Sequence, residues 1–255
     1  EFSDSIIREG DYAVIEIETK FYRHELRFTA QAGNIVLANT PVNEHDYIKG
    51  VNDNVLLSYA GEVENCIMEM EDPIYRDIIG NAIQRLDLLQ SLRQSSYGIT
   101  GSMAYKGGLL VHVAHSIRLA MIAIKQAKEL EIPFNASLVI AGCVLRNIGW
   151  HTTTRFQGDQ IKSRDAYYMT GIQRASARYI DHLMLTCEND LQIKIPEAKR
   201  QALENMCNKQ PEILTLEGKI VSCADNMADV LDFGAATLQR KQIGNWSGEL
   251  FVGHI

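Results

Sequence analysis

Apolar and polar positions near the start of the chain follow the spacing of half-buried strands. In DYAVIEIET, Ile15 and Ile17 alternate with Glu16 and Glu18; HELRFTAQ, NIVLA and NVLLSYA follow, punctuated by Gly10, Gly33, Gly50 and Gly61. These runs predict a small antiparallel, barrel-like β module over residues 1–71. From about Asp72 the period becomes helical, beginning with EDPIYRDIIGNAIQRLDLLQSLRQ after an acidic, proline-containing start. Further helices are predicted from Gly107-Gly108 to about Glu131, from Asn135 to Asn147 with Asn135 as N-cap, from Arg174 to Cys187, from Pro196 to Asn208 and from Thr215 to Leu231. The polar stretch GWHTTTRFQGDQIKSRD reads as a surface loop. The expected fold class is therefore α+β: the β module, an all-helical domain over 72–240 and an extended tail over 241–255.

Composition narrows this picture. A chain of 255 residues that is 46% hydrophobic can bury a sizeable core. No stretch approaches the roughly 20 uninterrupted apolar residues of a membrane span, so a soluble, cytoplasmic chain without a membrane partner is expected. The start at Glu1-Phe2-Ser3, without methionine, reads as a fragment whose flanks could carry a partner domain. Cys66, Cys143, Cys187, Cys207 and Cys223 are scattered and never paired as C-x-x-C, which argues against a disulfide framework or zinc knuckle.

The net charge of −7 is uneven. Residues 1–80 hold 16 acidic and 6 basic side chains, and the remainder holds 16 and 19. Any polyanion contact, nucleic acid included, is therefore expected in the C-terminal part. Tyr12, Phe21, Tyr22 and Phe28 could stack on bases if the β module were an OB-like barrel, but its acidity favours a packing or protein-contact role.

Three segments carry candidate chemistry: YKGGLLVHVAHSIRLA, NASLVIAGCVLRNIGW and LTLEGKIVSCADNMADVLD. Their order over about residues 75–232 resembles the HD superfamily of metal-dependent phosphohydrolases. The similarity is greatest to bacterial HD-type 3′-5′ exoribonucleases and to HD-type conjugative relaxases. The resemblance implies a helical HD-like domain in which His112 matches the first metal ligand and Asp225 the last. The signature His-Asp pair is replaced by Arg146-Asn147, and Trp150 stands where lysine follows Ile-Gly. Arginine has no lone pair to donate, and its permanent charge repels a divalent cation.

The expected function is accordingly a non-catalytic, degenerate HD-like domain acting as a scaffold or recognition module in a nucleic-acid-processing or mobile-element protein. An inward-pointing Asp225 then needs a cation, and Arg146 is the expected partner. No cofactor is expected, and a protein partner or flanking domain is. The alternative is a manganese- or magnesium-dependent phosphodiesterase or nuclease with ligands rearranged among His112, His115, Asn147, His182 and Asp225. Asp229 and Asp232 read as a solvated acidic edge. Arg155, Lys162, Arg164, Arg174 and Arg178 are the candidate phosphate contacts.

Overall fold

The computed structural model describes residues 13–22, 25–37, 50–157, 160–207 and 215–242, with side chains over 50–157, 160–206 and 215–233. The chain divides into two compact units, Glu1–Ile48 and Lys49–Ile255.

In the first unit, β1 (Ala13–Tyr22) pairs antiparallel with β2 (Glu25–Leu37), in a register running from Ala13 opposite Leu37 to Tyr22 opposite Glu25. HELRFTAQ and NIVLA thus merge into one strand instead of two. The expected barrel and the α+β class are corrected: the protein is mostly helical, and the N-terminal strands form only a two-stranded sheet among the described residues. The base-stacking role considered for Tyr12, Phe21, Tyr22 and Phe28 concerns side chains outside the described residues.

The run NVLLSYA, expected as a strand, lies inside α1 (Asp53–Met68). Leu56, Ala60, Val63 and Ile67 are its buried positions, a spacing of four and three that only a helix places on one side. The Asn52 side chain accepts from the Asn54 N–H and caps the start.

The helices continue as α2 (Pro73–Leu86), α3 (Leu88–Gln94), α4 (Gly108–Glu129), α5 (Ala136–Leu145) and α6 (Gly149–Thr153). A short hairpin of β3 (Thr154–Gln157) and β4 (Gln160–Ser163) follows, then α7 (Asp165–Leu191), α8 (Glu197–Cys207) and α9 (Leu216–Gln242). The predicted first long helix is broken between α2 and α3 at Asp87, whose φ of 47° is left-handed. The polar stretch predicted as a loop is instead α6 and the β3–β4 hairpin. The expected tail beyond Gln242 lies outside the described residues.

The helical bundle is built around α5. Asn135 caps it, accepting from the Leu138 N–H at 3.0 Å, and every residue from Ser137 to Leu145 is buried. A helix apolar on all sides must be surrounded, and α4, α8 and α9 pack on it. By length and composition alone α4 could cross a membrane, but 61% of its apolar window is buried within the protein. Its packing against α1, α5 and α9 accounts for that apolarity. Arg146 and Asn147 leave α5 at its C-terminal end, directed at α9, and His112 reaches the same place from α4.

Candidate functional site: a buried charge network between three helices

Each side chain of the network is placed by a local rule. Gly107 (φ 87°) turns the chain into α4. At Gly108 a Cβ would collide with the Met103 carbonyl, so the double glycine brings the preceding loop against the helix start. His112 then sits one turn into α4, fully buried. After α5, the Ser176 hydroxyl accepts from the Gly149 N–H at 2.9 Å and donates to the Arg146 carbonyl at 3.0 Å. This clasp fixes the turn that carries Arg146 and Asn147.

His112, Arg146, Asn147 and Asp225 converge in the core. Arg146 Nε donates to Asp225 Oδ2 at 3.0 Å, with both side chains 3% exposed. Asn147 Nδ2 donates to Asp225 Oδ1 at 2.5 Å, and His112 Nε2 lies 3.0 Å from the same oxygen. The rest of the guanidinium is used as well: Nη1 donates to the Met206 carbonyl at 2.8 Å and Nη2 to the Ser222 hydroxyl at 3.3 Å.

Asp232 corrects the expectation of a solvated edge. It is buried, one oxygen lying 3.1 Å from His112 Nδ1 and the other 2.6 Å from His115 Nδ1. Asp229 is 44% exposed on its side chain and approaches His112 Nδ1 at 3.7 Å. His115 also meets the Tyr59 hydroxyl through Nε2 at 3.2 Å. Asp225, Asp229 and Asp232 share one face of α9, as their spacing implied. The signal that two of them turn inward was the histidine pair on α4, whose ring nitrogens need acceptors once buried.

The electrostatics follow from this arrangement. Burial opposes a charged His112, but hydrogen bonds to Asp225 and Asp232 outweigh it and raise the imidazole from 6.5 to about 9. At neutral pH both ring nitrogens therefore carry protons and both donate to carboxylates. Burial also opposes the Asp232 carboxylate, yet His112 and His115 hold it below the usual range. Tyr97, missed by the sequence reading, stacks on His112 with ring centroids 3.8 Å apart and planes 9° apart. Burial first, and then the charges of Asp225 and Asp229, hold its hydroxyl protonated far above the usual range.

This donor set does not fit a divalent metal. Asp225 already accepts from three side chains, one of them a permanent cation, and His112 has no free lone pair while it bridges two carboxylates. Among the described residues no group of three or more His, Cys, Asp or Glu side chains is arranged to hold an ion. Of the alternative ligands, His115 is spent on Asp232 and Tyr59. His182 is exposed on α7 and takes no part in the network's hydrogen bonds.

The candidate phosphate contacts lie elsewhere. Arg155 and Lys162 face each other across the β3–β4 hairpin, Arg164 follows β4, and Arg174 and Arg178 lie one turn apart on α7. All five are exposed.

No family model matches the chain, and comparison with curated proteins and with solved structures gives no significant match.

Proposed function

We propose that this chain is a non-catalytic, degenerate HD-like helical domain that serves as a scaffold or recognition module. The single observation that carries this reading is the Arg146–Asp225 ion pair, buried where the motif order would place a metal. A guanidinium held by a carboxylate, a backbone carbonyl and a hydroxyl is a fixed structural cation. It ties α5, α8 and α9 together, a task that a metal bound between helices also performs.

His112 adds a second cation to the same core and ties α4 to α9 through Asp225 and Asp232. Neither residue is free to activate water: Asp225 already accepts from Arg146, Asn147 and His112, and His112 bridges two carboxylates. The nucleic-acid-processing or mobile-element setting is part of this proposal and rests on the motif order alone. An intracellular setting belongs to it too, supported by the free thiols of Cys66, Cys143, Cys187 and Cys223.

Metal analysis of the purified protein after dialysis with manganese, followed by hydrolysis assays on RNA, single-stranded DNA and a model phosphodiester, tests the reading. The expected result is no stoichiometric metal and no hydrolysis above a buffer blank. Tightly held manganese with turnover that disappears in His112→Ala would establish the phosphodiesterase alternative instead.

A further inference from the structure

The arginines whose side chains are described fall into two groups. Arg76, Arg85, Arg93, Arg118, Arg146 and Arg200 each have a carboxylate, carbonyl or hydroxyl partner. Arg155, Arg164, Arg174 and Arg178, all within one short segment, have no such partner on their guanidinium groups among the described residues. Between residues 155 and 178 there are five basic and two acidic side chains, in a chain whose net charge is −7.

The hairpin concentrates this charge. Arg155 stands directly opposite Lys162, a like-charge pair that works against strand pairing. The next pair, Phe156 and Ile161, is half-buried and anchors the hairpin by its other face, leaving the basic face in solvent. Arg164 follows and lies close enough to His151 for its charge, after burial, to lower that imidazole. His151 meets Tyr179 edge-on at 6.4 Å, which brings the residue next to Arg178 into the same neighbourhood.

An aromatic ring is held within this surface. Ser163, between Lys162 and Arg164, donates its hydroxyl to the Tyr168 hydroxyl at 2.7 Å. Tyr168 also meets Tyr167 edge-on at 5.4 Å, yet it remains 77% exposed. Its ring is thus positioned at one end, by a serine flanked by Lys162 and Arg164, and is largely open to solvent. Exposed rings among unpaired basic side chains suit a ligand with phosphates on a backbone and flat rings beside them. An acidic peptide would use the charge without needing the ring.

We infer that the basic face of the β3–β4 hairpin, with Tyr168 and the Arg174–Arg178 edge of α7, binds single-stranded nucleic acid. The inference rests on the recognition role proposed above. Oligonucleotide binding is measured independently of metal content and hydrolysis, so either reading can fail alone.

The test is fluorescence anisotropy of the full chain with a labelled oligothymidylate of about 20 nucleotides, at several salt concentrations. The wild type should bind, with affinity falling steeply as salt rises. Reversing Arg155 and Lys162 together to Glu should weaken binding by about tenfold or more and flatten the salt dependence. Tyr168→Ala should weaken it by about fivefold and leave the salt slope unchanged, because stacking releases no counterions. Lys125→Glu, an exposed reversal on α4, should change nothing, and thermal melts should show all variants folded. The inference is overturned if the wild type fails to bind at low salt or if the hairpin reversal binds as well as wild type. Equal affinity for polyglutamate, or a Tyr168→Ala variant that binds normally, would reassign the surface to an acidic protein and overturn it too.

Discussion

The Asp225 carboxylate receives Arg146 on one oxygen at 3.0 Å and His112 on the other, also at 3.0 Å, within the packed core of the bundle. Removing one member of such a pair leaves an uncompensated charge. Arg146→Met should therefore cost about 3–5 kcal/mol in urea unfolding, well beyond an ordinary core substitution. Adding Asp225→Leu to it should recover part of that loss, since the orphaned carboxylate goes as well. A double-mutant cycle in which the two costs simply add would show that the pair is not coupled.

His112 makes stability fall on the alkaline side. Its folded value of about 9 lies above the ordinary 6.5, so its contribution is complete below 6.5 and is lost as pH rises through 9. The full effect is on the order of 3 kcal/mol. The urea midpoint should decline between those pH values, and His112→Asn should remove that decline. Asp232 contributes in the opposite sense: its lowered value adds stability that disappears as pH falls below the ordinary carboxylate range. Stability should therefore be greatest between the two ranges.

Placing a His-Asp pair at 146–147 should create an affinity for metal. Arg146→His with Asn147→Asp removes the structural cation and adds a nitrogen and a carboxylate facing Asp225 and His112. With millimolar manganese the melting temperature of this double variant should rise by several degrees, as expected for a ligand that binds only the folded state. The wild type should not respond. Equal responses would show that Arg146 does not exclude the ion.

Gly149 and Gly80 should give opposite results. A Cβ at Gly149 would strike the Ile172 carbonyl and lie 2.8 Å from the Ser176 hydroxyl, opening the clasp behind Arg146. Gly149→Ala should cost about 2 kcal/mol or more. Gly80, inside α2, has nothing within 4 Å of the same atom. Gly80→Ala should be neutral or stabilising, by up to about 1 kcal/mol. Chemical denaturation of the two variants checks both signs.

Parts of this arrangement were legible in the sequence. It was the resemblance of the motif order to the HD superfamily, not any periodicity, that brought His112, Arg146, Asn147 and Asp225 together on paper. The partner of Arg146 followed from the cost of burying Asp225 alone. Asp232 was misread because the period of α9 gives its face but not its burial, which depends on His115 from a helix more than a hundred residues away. Tyr97 left no periodic signal at all: it sits in the irregular connection between α3 and α4, where its N–H donates to the Met103 carbonyl at 3.1 Å. NVLLSYA was misread through too short a window. The helical spacing of α1 shows only when Val63 and Ile67 are included. His182 falls in the neighbourhood where the HD resemblance implied further histidines, but sequence distance does not say which side of α7 faces inward.

Trp150, in α6 just beyond Asn147, has surroundings of practical value. Its ring lies 6.1 Å from Tyr97, which stacks on His112, and 6.2 Å from Tyr167, which touches Tyr168. One indole is therefore in contact with rings leading inward to the charge network and outward to the hairpin surface. With Trp246 replaced by phenylalanine, its emission would be a built-in optical gauge. Loss of the His112 proton and arrival of a ligand at Tyr168 could both be followed from a single fluorophore, without attaching a label.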